Sequence, residues 1–315
     1  DEKEFQQENQ KSPSKEEGNT VNRKVFSIQK KNYKPERDYG FEHKTKGNLY
    51  LKNDSMFALH FVPFKETSSE KFKEDKAVFL IDTSASAAIR YKEHLDKLED
   101  VIKKLALKEV HIFGFDNKLT YYGDSAQDLK KLEKVIPLGA SNLHSALKGI
   151  SAKADVKDAR LILVSDGVAT AGIIEKAKIA ELVKSQKWIS RLDFIVPGTY
   201  KDAGLIKQII PLGKNPGTSV ELGDELDAIL KKLNRKVHTD NKISIPGVKW
   251  FYPDTLDSIQ PGDPVVVFGE LKDKDGNPSK DIQFNGKPVD SFTNLTMDEL
   301  LLEREAMAAR INRLI

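Results

Sequence analysis

Asp82-Thr83-Ser84-Ala85-Ser86 sets a carboxylate and two hydroxyls at alternate positions, directly after the apolar run KAVFLI. That run reads as a buried strand, and its carboxyl end is the rim where open α/β sheets bind ligands. The later run ARLILV (159–164) ends in Ser165-Asp166-Gly167 and brings a second carboxylate to the same rim. Gly139-Ala140-Ser141-Asn142-Leu143 adds a third hydroxyl at a loop-to-helix junction. Two carboxylates and three hydroxyls make a hard, all-oxygen donor set. Such a set suits Mg²⁺ or Mn²⁺, and Ca²⁺ less tightly, whereas zinc takes His or Cys. With so few charged donors the metal stays electron-poor and favours a carboxylate from outside. Taken singly, Ser84 or Ser86 reads as a helix N-cap and Asp166-Gly167 as a turn. Three such pieces in order, each at a strand end or helix start, point instead to one site.

Other chemistry is missing. No G-x-G-x-x-G follows a strand, and GVATAG lacks the Lys-Ser/Thr of a phosphate loop. H-E-x-x-H and G-x-S-x-G do not occur. His111 lies inside a strand pattern, which reads as a core or edge role. Asp273-Lys274-Asp275-Gly276-Asn277 is an incomplete calcium loop without the distal Glu, and reads as a hairpin turn. The 315 residues hold no Cys, which excludes disulfides, a thiol nucleophile and Cys-ligated metals. With 51 basic and 48 acidic residues the net charge is +3, so nothing draws the chain toward nucleic acid. No apolar run reaches the roughly 20 residues of a membrane span. The start, DEKEFQQENQ, lacks the basic-then-apolar pattern of a signal peptide.

These groups need a scaffold, and the hydrophobic pattern predicts one. Residues 1–20 carry one large apolar side chain, Phe5, and are expected to be disordered. In 21–75 the runs VFSIQ, NLYLKN and MFALHFVPF read as strands, followed by a charged linker. Over 76–238 strands alternate with helices: strands at 76–82, 109–116, 119–123, 159–164 and 191–198, and helices that include 86–107, 173–186 and 224–236. This predicts an α/β fold with a doubly wound, mainly parallel sheet. In 239–292 short β runs return. In 293–315, Thr296 to Glu299 reads as a capping box before a helix with Leu300, Met307, Ile311 and Leu314 on one stripe. The layout is an α/β domain inserted in a split β element, with a C-terminal helix.

D82-T-S84-A-S86, GASNLHSAL and LILVSDG together resemble the von Willebrand factor type A (VWA) domain and its metal-ion-dependent adhesion site (MIDAS). The resemblance covers about 76–238. Asp82, Ser84 and Ser86 match the D-x-S-x-S motif, Ser141 stands where the family has Thr, and Asp166 matches the distal Asp. Ala85 and Ala87 replace the common Gly and Met. Ser141 keeps the hydroxyl but loses the methyl that restrains it. VFSIQKKNYKPERDYGFEHK, VKWFYPDTLDSIQPGDPVVVFGEL and LLEREAMAARINRLI resemble the surroundings of that domain in proteins that also carry a VIT domain. These are the inter-alpha-trypsin inhibitor heavy chains and their bacterial relatives. The chain is then expected to be part of a longer protein.

The resemblance implies a non-enzymatic module. Ser84 and Ser86 would ligate the ion directly, Asp82 and Asp166 directly or through water, and Ser141 would join with its loop. A partner's Asp or Glu would complete the shell. In some relatives a shift of the last helix, here 224–236, couples to the metal loops. The expected setting is extracellular, periplasmic or on a bacterial cell surface. Two rivals use the same rim: a metal-dependent hydrolase, for which no general base is evident, and an intracellular scaffold for an ATPase complex.

Overall fold

The computed structural model describes residues 6–10, 23–27 and 47–315, apart from 68–70, 153–154, 199, 257, 279–280, 297–298 and 315. The side chains of 6–10, 23–27, 295–296 and 299–301 also lie outside the description. The chain divides into two compact units, 1–45 and 46–315.

In the first unit, β1 (Gln6–Gln10) pairs antiparallel with β2 (Arg23–Ser27). Strand β1 lies within 1–20, the rest of which lies outside the described residues. Its sequence QQENQ contains no apolar residue. The ladder is made by main-chain N–H and C=O groups, which every such residue carries.

The second unit opens with β3 (Asn48–Asn53) and β4 (Met56–Phe61). There follow β5 (Lys76–Asp82), α1 (Tyr91–Leu105), β6 (Glu109–Phe115), β7 (Leu119–Gly123), α2 (Leu129–Leu132) and α3 (Leu143–Gly149). Next come β8 (Ala159–Val164), α4 (Lys176–Ser185), β9 (Ile189–Val196), α5 (Ala203–Ile209), β10 (Ser219–Glu221) and α6 (Leu226–Leu233). The chain closes with β11 (Asn241–Ser244), β12 (Val248–Tyr252), β13 (Thr255–Leu256), β14 (Val265–Leu271), β15 (Gln283–Phe284), β16 (Lys287–Pro288), β17 (Phe292–Thr296) and α7 (Glu299–Leu314).

The architecture is mixed α/β, with central sheets and flanking helices. Six strands form one sheet in the order β10-β9-β8-β5-β6-β7, parallel except for β7. Every residue of β8 and β9 is buried, as strands covered on both faces require. Side chains alternate across the sheet. Val78, Leu80, Leu161 and Leu163 pack with Leu147 of α3, Ile179 of α4 and Leu205 of α5. Ala77, Phe79, Ile81 and Ile162 pack with Leu98 of α1, Leu132 of α2 and Ile229 of α6. Helix α1 earns its place by Leu95, Leu98, Val101 and Ile102, which form one buried stripe. The pairing Ile81↔Val164 sets the ends of β5 and β8 side by side.

A second sheet, β12-β14-β4-β3-β17, draws β3 and β4 from before the six-stranded sheet and the others from after it. Phe57, Leu59, Phe61, Val265 and Val267 from that sheet share a core with Ile243 and Phe284 of a small four-stranded sheet. Two expectations change here. Helix α7 buries Leu302, Ala306 and Ala309, while Met307, Ile311 and Leu314 are exposed; Leu300's side chain lies outside the described residues. Small alanines let the helix close on β4 and β14, so fit and not bulk selects its face. Asp273 to Asn277 is not a hairpin turn, because β14 and β15 belong to different sheets. Its Asp273 Oδ1 accepts the Asp275 N–H at 3.0 Å, a local turn that passes the chain between sheets.

Candidate metal centre

Asp82 is the last residue of β5 and is 4% exposed. Its Oδ1 accepts the Ser84 N–H at 2.9 Å. Its Oδ2 accepts the Ser165 hydroxyl at 2.8 Å and the Ser141 hydroxyl at 3.1 Å. Ser84 Oγ lies 3.2 Å from Ser86 Oγ. Ser84 and Ser141 are buried, Ser86 is exposed and Asp166 is half-buried. The structure thus joins Asp82, Ser84, Ser86 and Ser141 in one hydrogen-bonded cluster. Asp166 makes no direct bond to it: its Oδ1 accepts the Val168 N–H at 2.9 Å. It still lies near enough for its charge to act on Asp82.

Backbone bonds hold these loops together. The Ala85 N–H donates to Gly139 O at 2.9 Å, within a bridge that pairs Ser84 with Gly139. Gly139 has no room for a side chain, because a Cβ there would stand 2.7 Å from Asp116 Cβ. Ser141 O accepts the N–H groups of Thr170 and Ala171 at 2.9 and 3.1 Å, and the Ser141 N–H returns to Thr170 Oγ1 at 2.8 Å. Asp202 N–H donates to Asp166 O at 2.8 Å.

Burial pushes the Asp82 carboxyl upward from its ordinary pKa. Hydrogen bonds from Ser84 and Ser165 pull the other way, and the Asp166 charge adds to the rise. None of its main electrostatic neighbours is basic. Among the described residues this buried carboxylate has hydroxyls and a second carboxylate as its main neighbours, and forms no ion pair of the kind buried charges take. Beside it the Tyr91 hydroxyl is buried without a hydrogen-bond partner. Burial raises its pKa, with further rises from Tyr122 and Asp82.

The donor set fits a hard divalent cation. In octahedral coordination with ~2.1 Å bonds, adjacent ligand oxygens stand about 3 Å apart. The Ser84–Ser86 and Ser141–Asp82 spacings of 3.2 and 3.1 Å match that edge. Among the described residues no group of three His, Cys, Asp or Glu side chains is placed to hold a metal ion. A cation here must therefore rely on hydroxyls.

Sequence reasoning missed Ser165 and Thr170. Ser165 donates to Asp82, and its Oγ also accepts the Gly167 N–H at 2.9 Å, which ties the Asp166 loop to the Asp82 carboxylate. The clue was a hydroxyl immediately before the distal Asp. Thr170 had no local signal, since its role depends on where two loops meet. His111 is a buried strand residue, with Nε2 3.0 Å from Glu109 Oε1 and Nδ1 3.3 Å from the Tyr121 hydroxyl.

No protein-family model and no curated protein matches the chain. Solved structures are similar to it at low values. Proximal thread matrix protein 1 from the mussel byssus is 18% identical, with 57% of this chain and 51% of that one covered and a TM-score of 0.41. That protein has also been solved with a zinc-occupied MIDAS motif. The ArnB paralog VWA2 from Sulfolobus acidocaldarius is 17% identical, with 73% and 66% covered and a TM-score of 0.37. A von Willebrand factor type A protein from Catenulispora acidiphila is 12% identical, with 81% and 74% covered and a TM-score of 0.41. The chain spans about half the length of the byssus protein.

Proposed function

We propose that this chain is a non-enzymatic VWA module, of the VIT-linked kind, that binds an acidic protein partner through a divalent cation at its sheet rim. The observation that carries the reading is Asp82: a buried carboxylate beside Asp166, bonded by serine hydroxyls, with no basic side chain among its main electrostatic neighbours in the described residues. The strand order β10-β9-β8-β5-β6-β7, with helices on both faces, supports a doubly wound VWA sheet.

Ser84, Ser86 and Ser141 would hold Mg²⁺ or Mn²⁺, or Ca²⁺ less tightly, through their hydroxyls. Asp82 and Asp166 would supply the negative charge, directly or through water. The bound cation supplies a Lewis-acid position that a partner's Asp or Glu carboxylate can take. Ser165 holds Asp82 in place, and Thr170 holds the Ser141 loop. The cation would offset the negative charge of Asp82 and Asp166, which burial disfavours. The expected setting is extracellular, periplasmic or cell-surface. Among the described residues no helix is long and apolar enough to cross a membrane.

The test is partner capture with and without EDTA, using wild type and Asp82→Ala, alongside Mn²⁺ titration of both. Mn²⁺ binding and capture should vanish together in the variant, while circular dichroism shows its fold intact. Capture that survives EDTA or the substitution would overturn the reading.

A further inference from the structure

Single exposed apolar side chains are normal on any protein surface, but a cluster of them on adjoining loops marks an interaction site. Among the described residues, seven large apolar side chains are more than half exposed, and two of these, Ile311 and Leu314, lie on α7. The other five are Ile89, Ile136, Leu138, Ile174 and Tyr200. All five fall on the loops that carry or adjoin the candidate metal ligands.

Three hydrogen bonds fix this grouping: Ala85 N–H to Gly139 O, Ala171 N–H to Ser141 O, and Asp202 N–H to Asp166 O. Each of the five side chains lies within four residues of an end of one of these bonds. Nothing in local folding calls for them. Burial in the two cores of the sheet is supplied by other residues, and loops of this kind are ordinarily polar.

Three basic side chains on and beside these loops are paired within the chain. Arg90 pairs with Glu93 at 2.7 Å, Lys176 with Asp202 at 2.7 Å and Lys201 with Glu221 at 2.6 Å. These three cations already face acids of this chain. One acid for the metal, with apolar side chains on either side of it, matches both features of the rim.

We infer that the rim selects a protein segment in which a single Glu or Asp is flanked by large apolar residues. The inference rests on the metal-bridged reading above: the carboxylate reaches the cation while its neighbours cover Leu138, Ile174 and the other exposed side chains. Affinity then comes from the apolar contacts, and orientation from the metal.

The experiment compares two synthetic nonapeptides with a central Glu, one with Leu on both sides of it and one with Ser, by fluorescence polarisation in Mn²⁺. Wild type should bind the Leu peptide at least about tenfold more tightly, as burial of two Leu side chains allows. The double variant Leu138→Ser/Ile174→Ser should lose most of that advantage while its Mn²⁺ affinity, read by water-proton relaxation, stays unchanged. Equal binding of the two peptides by Mn²⁺-loaded wild type, or an advantage that survives in the variant, would overturn the inference and leave the metal reading standing. A Leu-peptide advantage undiminished by EDTA would overturn it as well. Absence of Mn²⁺ binding by wild type would remove the metal reading itself, and the inference with it.

Discussion

The Ser141 hydroxyl donates to Asp82 Oδ2 across 3.1 Å, joining residues 59 apart in the chain. Main-chain bonds to Thr170 and Ala171 fix the Ser141 backbone, so its loop aims the hydroxyl at the carboxylate. The side chain itself is free to choose among staggered rotamers, since serine lacks the β-methyl of threonine. Ser141→Ala is expected to weaken Mn²⁺ binding about tenfold, near 1.4 kcal/mol, the scale of one hydroxyl contact to a charged site. Ser141→Thr should bind within about threefold of wild type, a difference under 1 kcal/mol. Titration calorimetry measures both, and an alanine variant with wild-type affinity would remove Ser141 from the ligand set.

Asp82→Asn should stabilise the metal-free protein. Burial raises the Asp82 pKa, so at neutral pH the folded state holds its carboxylate in a less favourable setting than the unfolded chain does. Asparagine has the same shape and keeps an acceptor for Ser84 N–H, and the nearby hydroxyls can accept from its amide. A gain in stability is expected, because the neutral amide escapes the burial that disfavours the charged carboxylate. The same variant should lose the rise in Tm that Mg²⁺ gives wild type. Thermal unfolding with and without Mg²⁺ tests both. A lower Tm for the metal-free variant would mean that the hydrogen bonds to the charged form outweigh its burial.

Within β9, Asp193 should be indispensable for stability. It is fully buried, 2.7 Å from Arg160 Nε and 2.9 Å from Arg191 Nη2. Burial pushes its pKa up, but Arg160 and Arg191 outweigh that and hold it below the ordinary value. A depressed folded pKa gives stability that is fully present above the unfolded value, near 3.9, and is lost as pH falls through the folded one. Asp193→Asn leaves two buried guanidinium groups without their counterion, and should cost about 3–5 kcal/mol. Urea unfolding at neutral pH measures this. The cost should shrink as pH falls below about 4, where the unfolded chain binds the proton that the folded state still excludes. A cost that does not depend on pH would assign the effect to packing.

The parts legible in sequence were those with local periodicity. KAVFLID reads as a buried strand because six of its seven residues are buried in β5. Asp82, Ser84 and Ser86 follow at the strand end, so their clustering is visible from spacing alone. Contacts between distant segments were not visible. Ser165 and Thr170 matter through Asp82 and Ser141, which only the folded loops bring near. The α7 stripe was misread because Met307 and Ile311 look like core residues, whereas Ala306 and Ala309 make the closer contact. The pairing of β1 with β2 had no signal in side-chain composition, because its ladder is made by the main chain.

Helix α6 is expected to stay in place when metal binds. Its C-terminal end is gripped from three directions. Arg160 Nη2 donates to Leu233 O at 2.7 Å, Gln260 Nε2 to Lys232 O at 2.8 Å and Arg191 Nη1 to Arg235 O at 2.7 Å. The Phe72 N–H adds a bond to Asn234 O at 2.8 Å. Both arginines are themselves fixed by Asp193. A one-turn slide of the helix would break all of these contacts. Each buried donor left unsatisfied costs about 1–3 kcal/mol, and charged donors more. Losing three together exceeds the coupling of about 1–3 kcal/mol that typically links two sites. Amide exchange across 226–235 should therefore change less than about twofold on Mn²⁺ loading, a shift of under 1 kcal/mol in local opening. Gln260→Ala releases one grip without removing a charge and should speed exchange there whether or not Mn²⁺ is present. A large Mn²⁺-dependent change in wild type would show that the metal site can move the helix despite the grip, and would make the arginine pair the hinge of a switch.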